Sequence, residues 1–349
     1  MDSGKISNDD FEKIILQNCG YERKEVQCGP AFGVDVSVIN LPGGLAMALT
    51  SDPLSLIPAL GLQESAWLSV HLMVNDMGTT GFAPMYAQMV LNLPTSISDA
   101  DFNTYWSFVH QYCKQIGVAI TGGHTGRIAG QNSSIAGGGT MLLTAPAESI
   151  LLSCKAQQGD LIVVTKSCAL SATAILAMSF PQTVINKIGR ESHTHACSLF
   201  YQTSSLSEAL LANAGNKECG VTAMHDVTEG GVLGSVYEMA VASGNGVKVN
   251  NSLIPISNTA NEVCDLFGID PRFSIGAGSM VMAVKKTQAN DVLKILHGKG
   301  IDATIIGQFT AKEDGYKLID EEGTESGLPY FAKDAYWEAF FNAQKRGWK

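Results

Sequence analysis

Apolar residues along this chain switch repeatedly between the two-residue period of a strand and the three-to-four-residue period of a helix. That alternation restricts the fold to a mixed α/β class. Ser7 or Asn8 is placed to cap a first short helix carrying Phe11, Ile14 and Ile15, which Gly20 ends. Val34, Val36 and Val38 alternate with polar neighbours, and Leu45 to Thr50 is apolar, so two strands around the turn Leu41-Pro42-Gly43-Gly44 predict a hairpin. Residues 63–78 read as a helix bearing Trp67, Leu68, His71, Leu72 and Asn75, with Asp76 at the edge of that face. A strand is expected over 85–92. Ser98 then opens a helix with a broad stripe of Phe102, Tyr105, Trp106, Val109, Tyr112, Cys113 and Ile116. Val118 to Thr121 reads as a buried strand running into Gly122-Gly123-His124-Thr125-Gly126, and 134–144 returns as another.

A polar connection over 152–158 predicts a boundary between two domains, 1–152 and 153–349. The second half repeats the pattern. Strands are expected at 160–165, 220–225, 246–250, 279–284 and 302–308, and helices at 169–180, 204–214, 230–243, 258–267 and 287–298. Residues 181–203, with Pro181, His193, His195 and Cys197, read as an irregular excursion.

The 349 residues carry 23 Lys plus Arg against 33 Asp plus Glu, a net charge of -10, which argues against nucleic acid as a partner. Only 16% are charged while 45% are hydrophobic, enough for large cores. Eight scattered cysteines (19, 28, 113, 154, 168, 197, 219 and 264) include no C-x-x-C pair, which fits a reducing cytoplasm better than a zinc cluster or a disulfide scaffold. No signal peptide or membrane span is expected, and with it no membrane partner.

Three aspartates fall where a rigid element meets a turn: Asp35, Asp52 and Asp76. Magnesium prefers carboxylate oxygens together with substrate phosphates, so aspartates brought together would hold a metal-bound nucleotide. Singly, each also reads as an ordinary turn or surface residue. Gly122-Gly123-His124-Thr125-Gly126 would let backbone N–H groups approach a phosphate, although the start of a flexible hairpin uses glycines equally well. In His225-Asp226-Val227-Thr228-Glu229-Gly230-Gly231, Thr228 or Asp226 is placed to cap a helix, with Gly230 and Gly231 admitting an anion at its positive end. A plain cap is the competing reading, with Glu238 facing solvent. His193, His195 and Cys197 lie on one segment with no second pair, so zinc is not expected there. No G-x-S-x-G nucleophile motif is present.

Taken in order, Gly33-x-Asp35-x-x-x-Ile39, Thr50-Ser51-Asp52, Val74-Asn75-Asp76-Met77 followed by Gly81 and Pro84, Gly122-Gly123-His124-Thr125, and Asp226-Val227-Thr228-x-Gly230-Gly231 make a series. It resembles the aminoimidazole ribonucleotide (AIR) synthase superfamily, the PurM-like proteins, over about residues 30–310. Members include the hydrogenase maturation factor HypE, selenophosphate synthetase and thiamine-monophosphate kinase. The resemblance implies a two-domain architecture whose N-terminal domain builds a β-barrel across the subunits of a homodimer, with ATP and Mg²⁺ between the domains. Asp35, Asp52, Asp76 and Asp226 look like the metal-binding carboxylates. Gly122, Gly123, His124 and Thr125 look like the phosphate-side loop, with Thr228, Gly230 and Gly231 also binding nucleotide and His124 in a catalytic role.

Where the resemblance implies the usual acidic pair this chain has Val34-Asp35, and its end, Lys345 to Lys349, lacks the HypE acceptor cysteine. The expected activity is therefore phosphorylation and activation of an oxygen on a small-molecule or protein-bound acceptor by Mg-ATP. The alternatives are a small-molecule kinase, resembling thiamine-monophosphate kinase or selenophosphate synthetase, and a non-catalytic nucleotide-binding dimer.

Overall fold

A computed structural model describes residues 4–131, 135–213 and 220–349. Ser134, Ala214 and Cys219, named above, lie outside the described residues. The chain builds two sheets, each covered by helices.

The first sheet contains β1 (Val26–Cys28), β2 (Ser37–Asn40), β3 (Leu45–Ser55), β4 (Tyr86–Pro94), β5 (Ala119–Ile128) and β6 (Ile135–Pro146), in the order β1-β2-β3-β6-β4-β5. The β2–β3 hairpin forms as expected, Ser37 opposite Leu49. Two expectations need correction. Asp35 precedes β2 instead of lying on it. Asp52 sits inside β3, which continues through Pro53 to Ser55. Beyond Leu49, β2 no longer flanks β3, so a proline without an N–H costs no ladder bond on that side.

After a first turn α1 (Asn8–Asp10), capped by Ser7 as expected, the chain stays helical to Asn18, yet Ile14 and Ile15 are exposed. Helices α2 (Leu62–Gly78) and α3 (Asp99–Gln115) cover one face of the first sheet. Ser69 and Tyr105 join them by a 2.7 Å hydrogen bond between fully buried side chains. Packed between helices and sheet are Val70, Met73, Val74 and Met77 of α2 and Met89, Leu91 and Met141 of the strands.

The second sheet contains β7 (Leu161–Thr165), β8 (Val221–Asp226), β9 (Gly246–Asn250), β10 (Met280–Val284), β11 (Ala303–Thr310), β12 (Tyr316–Ile319) and β13 (Glu325–Gly327), in the order β13-β12-β9-β11-β7-β10-β8. Its helices are α4 (Leu170–Ser179), α5 (Pro181–Ile188), α6 (Arg190–Ser198), α7 (Leu206–Asn213), α8 (Gly231–Ser243), α9 (Asn258–Phe267), α10 (Ala289–His297) and α11 (Ala335–Lys345). Strand β10 is buried throughout because both its faces are covered. Val281 and Ala283 meet the residues of α8, while Met280, Met282 and Val284 meet those of α7 and α10.

Residues 181–198 are two helices, not an irregular excursion. Pro181 opens α5, where its missing N–H is not needed, and Gly189 separates α5 from α6. The two halves are locked together along α2. Asn75 Nδ2 donates to Thr203 O at 2.9 Å, Ser205 N–H donates to Asn75 Oδ1 at 2.8 Å, and Trp67 Nε1 donates to Thr203 Oγ1 at 2.9 Å. Asp76, one residue further along α2, is thereby fixed at the junction. Among the described residues no helix is long and apolar enough to cross a membrane.

Candidate functional site

The site grows from the end of β8. His225 and Asp226 are its last residues, both buried, and the chain then turns through Thr228-Glu229-Gly230 into α8. Two turns along α8, Glu238 faces back toward the strand. It is only 6% exposed and does not face solvent, and its Oε2 lies 3.2 Å from His225 Nε2. From the other half of the molecule, residues 33–35 cross this helix. A side chain on Gly33 would sit 2.4 Å from Glu238 O, so only glycine lets the segment lie close enough to deliver Asp35. Asp35 Oδ1 ends 2.7 Å from His225 Nδ1, and Asp226 Oδ1 lies 3.9 Å from the same nitrogen.

Strand alternation brings the remaining carboxylates. Thr50, Asp52 and Leu54 share the face of β3 that looks toward α2. Thr50 Oγ1 donates to Asp76 Oδ2 at 2.7 Å. Burial pushes the Asp76 carboxyl well above the usual range, reinforced by Asp226, Asp35 and Asp52. Asp226 is pushed up to about 7 by burial and by Asp35, with His225 and Lys5 pulling the other way. Asp52 is pushed up to about 6 by burial and Glu229, against Lys5. Burial disfavours charge on His225, yet Asp35 and Glu238 outweigh it and hold the imidazole well above its ordinary value. Asp35, Asp52, Asp76 and Asp226, which are 17 to 191 residues apart in sequence, thus converge as one electrostatic unit.

The N-terminal segment reaches the same place. Lys5 N–H donates to Glu229 Oε2 at 3.0 Å and Lys5 Nζ donates to Thr228 Oγ1 at 3.1 Å. Desolvation opposes charge on Lys5, but Glu238, Asp226, Glu229 and Asp35 together raise its pKa. Trp337 Nε1 donates to Glu229 Oε1 at 3.0 Å, so Glu229 joins the N-terminal segment to α11.

The glycine motifs behave differently from the expectation. Gly122 to Gly126 form no loop: they lie within β5 at the edge of the first sheet, with Gly122 to Thr125 exposed. In register, Asp52 opposes Gly139, Gly139 opposes Met89, and Met89 opposes Gly123. Three strand spacings make that about 14 Å. His124 pairs with exposed Val90 and shares its outward face, whereas Asp52 shares the inward face of Met89. Within one chain, therefore, Gly122, Gly123, His124 and Thr125 do not meet the aspartates. At α8 neither Thr228 nor Asp226 caps the helix; the Gly230 N–H donates instead to Asp334 Oδ2 at 2.9 Å. The amide expected to face an anion is satisfied by the chain's own carboxylate, with Gly231 N–H bonded to Thr228 O. His195 bonds Thr259, and the His193–Cys197 contact stays a pair.

His225 and Glu238 are the residues the motif reading passed over. The first stands beside a named aspartate at the buried end of a strand, which was a usable signal; the second is visible only once α8 is folded back. Lys5 and Asp334 gave no local signal.

The chemistry of the donor set suits a divalent cation. One donor atom each from Asp35, His225 and Asp226 lies within 4.8 Å of the others, and Asp35 Oδ2, His225 Nδ1 and Asp226 Oδ1 are buried without hydrogen-bond partners. Buried polar atoms in native folds are rarely left so.

Comparison with known proteins agrees with this architecture. The chain is 29% identical over 250 residues to a putative hydrogenase expression/formation protein of Methanocaldococcus jannaschii, covering 71% of each. It is 24% identical over 304 residues to the carbamoyl dehydratase HypE of Cupriavidus necator, covering 85% of this chain and 82% of that one. A solved hydrogenase maturation protein HypE in complex with ATP superposes with a TM-score of 0.66 at 18% identity, over 94% of this chain and 95% of that one. Residues 33–142 match the N-terminal domain, and residues 157–319 the C-terminal domain, of AIR synthase related proteins, and the chain belongs to that family.

Proposed function

We propose that this protein is an ATP-dependent enzyme that phosphorylates, and so activates, an oxygen of a small-molecule or protein-bound acceptor. The observation that carries the reading is the convergence of four aspartates from both halves on one buried cluster whose charges repel one another. Such a cluster is costly to the fold unless a cation balances it. Similarity to HypE proteins, one of them solved with ATP, supports the nucleotide.

Asp35, Asp52, Asp76 and Asp226 would hold Mg²⁺, which when bound offsets charge on the phosphate oxygens of ATP. Thr50 keeps the Asp76 carboxylate oriented by its hydrogen bond. The α2 lock to residues 203–205 keeps the two halves of the carboxylate set in register. Phosphoryl transfer then asks mainly for positioning and charge neutralisation, and little for protein acid/base chemistry.

The working form in this reading is a homodimer. Strand β5 is a ten-residue edge strand, and the outward face of the first sheet carries exposed Leu45, Tyr86, Val90 and Ile128. A depression of about 390 Å³ over Gly137, Gly138 and Gly139 opens beside Ser51, Asp52 and Val90. A second copy seated there would close the sheet and bring Gly122 to Thr125, with His124, to the opposite subunit's cluster.

Calorimetric titration with ATP and Mg²⁺ tests the reading, and no heat at millimolar ligand removes it. ADP release on adding candidate acceptors separates turnover from binding alone. A stable phosphorylated product would favour a kinase over a dehydrating activation.

A further inference from the structure

We infer that Cys28 and Cys154 form a reversible thiol–disulfide site, at which Cys154 attacks a small-molecule disulfide and Cys28 resolves the product into an intrachain bond. The inference goes beyond the proposed function and stands without nucleotide or cation.

The fold supplies the juxtaposition. Cys28 ends β1, and Cys154 lies 126 residues further along, in the turn Ser153–Lys155 that leads into the second sheet. Neither belongs to a C-x-x-C motif, so the sequence shows no pair. In the structure both are free thiols, both are half-buried against the same apolar core, and the Cys28 thiol donates a hydrogen bond to the Cys154 sulfur. Beside them Ser153 Oγ donates to Gly33 O at 2.5 Å, so the two segments are joined at a second point. Disulfides demand a specific geometry, and side chains already in contact from two segments bonded side by side meet its first requirement.

The contact divides the labour. The hydrogen bond from Cys28 and the Lys155 ammonium favour negative charge on Cys154 and, against burial, hold it below the usual thiol range. The same contact, with burial, keeps Cys28 protonated. A thiolate is the attacking species in exchange, and a neighbouring thiol resolves the mixed disulfide. Burial pushes Cys113, Cys168, Cys197 and Cys264 the other way, and Cys19 is exposed with its Sγ turned to Ile15 O at 3.2 Å.

The exchange balances with the small disulfide as the sole oxidant. The Cys154 sulfur bonds one of its sulfurs, the S–S bond breaks, and the other sulfur leaves as a thiolate. The Cys28 sulfur then attacks the Cys154 sulfur, its proton passes to the first released thiolate, and a second small thiolate leaves. Two electrons move from the protein sulfurs to the small disulfide, and excess thiol reverses both steps.

The consequence is local. Gly29 to Val34 runs from Cys28 to Asp35, and Gly33 is already held by Ser153. A Cys28–Cys154 bond would tie the other end of that segment to the same turn, which itself packs against β8 and α8. Thiol redox state would thereby set the freedom of the segment that delivers Asp35.

The test treats the full-length protein and its Cys28→Ser and Cys154→Ser variants with oxidised glutathione at neutral pH, followed by mass spectrometry of unreduced peptides. Wild type is expected to yield a peptide linking Cys28 to Cys154, returned to free thiols by excess reduced glutathione. Cys28→Ser is expected to stop at a glutathione adduct on Cys154. Cys154→Ser is expected to modify Cys28 at least about tenfold more slowly than wild type loses its free Cys28 thiol. Absence of the linked peptide in wild type, or a glutathione adduct that persists on Cys154 while Cys28 is present, overturns the inference, and neither result depends on a variant that folds. Hydrogen exchange over residues 29–34 is expected to slow about tenfold on oxidation, and unchanged exchange there overturns the pinning of the segment.

Discussion

The carboxylate cluster and the glycine-rich strand β5 both enter the sequence reading as candidate parts of one nucleotide site, and folding treats them in opposite ways. The aspartates, scattered from residue 35 to residue 226, come together in a buried place where their charges couple. The glycines, contiguous in sequence, stay on an exposed edge, three strands from Asp52 and with His124 on the opposite face. The cluster is a property of one chain. The strand is an open edge, which a second copy covers in the proposed homodimer.

The largest effect that would sharpen this contrast is expected from Asp226→Asn. Outer-shell partners of a metal are worth about 10- to 100-fold in affinity, so if Asp226 is a direct ligand, as proposed, its loss is expected to exceed about 100-fold for divalent cations. The same change removes a carboxylate that burial and Asp35 disfavour. The cation-free variant is therefore expected to melt higher at pH 8, by roughly 1–2 °C for each kcal/mol recovered. Cation titration and thermal melts in chelator check both halves. A variant that binds cations normally, or melts lower at pH 8, breaks the idea that the cluster trades stability for a ligand.

A pH series reads the same trade without substitution. Asp52 and Asp226 titrate near 6 and 7 in the folded chain against 3.8 for an ordinary aspartate. Between pH 4 and 7 the folded state therefore holds protons that the unfolded state has released, and stability falls as pH rises through that window. His225 acts in the same direction: its raised value stabilises fully below pH 6.5, and that contribution is lost as pH climbs through the folded value. Melts in chelator are expected to decline from pH 5 to 8, with a slope of about 1.4 kcal/mol per pH unit for each extra proton bound. Saturating Mn²⁺ or Mg²⁺ is expected to flatten or reverse the slope, because the cation replaces the protons. A flat profile in chelator would show that the cluster is better solvated than its burial implies.

Much of this was legible in the sequence because it depends on local periodicity. The β2–β3 hairpin, α2, α3 and the buried strand β10 follow from residue patterns within short windows. What was not legible depends on tertiary placement. Asp52-Pro53 looks like a turn, and only the shortness of β2 permits it to be a strand. Residues 181–198 look irregular until Pro181 is seen opening α5. Glu238 reads as a surface residue on α8 and becomes buried because Gly33 brings another segment across it. His225 was quoted in its motif, but an imidazole beside an aspartate has no chemistry until Asp35 arrives from elsewhere.

On the edge strand, glycine and histidine should separate cleanly. Gly123 has φ +143°, and a side chain there would meet Met89 O at 1.8 Å, so Gly123→Ala is expected to cost about 1–3 kcal/mol in backbone strain alone. His124 is exposed, so His124→Ala is expected to stay within about 0.5 kcal/mol of wild type while ATP turnover drops. Denaturant unfolding and ADP release measure the pair. If His124→Ala leaves turnover untouched, β5 serves the sheet and not the opposing subunit's site.

The smallest expected effect tests the contact that closes the cluster. Lys5 places an ammonium against Thr228, within reach of Glu238, Asp226, Glu229 and Asp35, where a second positive charge would be repelled. A divalent cation entering the cluster must work against that charge or displace it. Because Lys5 as a whole is exposed, its contribution is screened, and exposed pairs of this kind are worth about 0.2–1 kcal/mol. Lys5→Met is therefore expected to tighten divalent-cation binding about two- to fivefold and to lower the melting temperature of the cation-free protein by a degree or two. Trp337 offers a direct readout, since Glu229 holds both its indole N–H and the Lys5 backbone N–H. Its fluorescence is expected to change on cation binding if the segment is displaced, and to stay constant if Lys5 remains in place beside the ion. Weaker cation binding in Lys5→Met would show that the ammonium helps to assemble the site and does not compete for it.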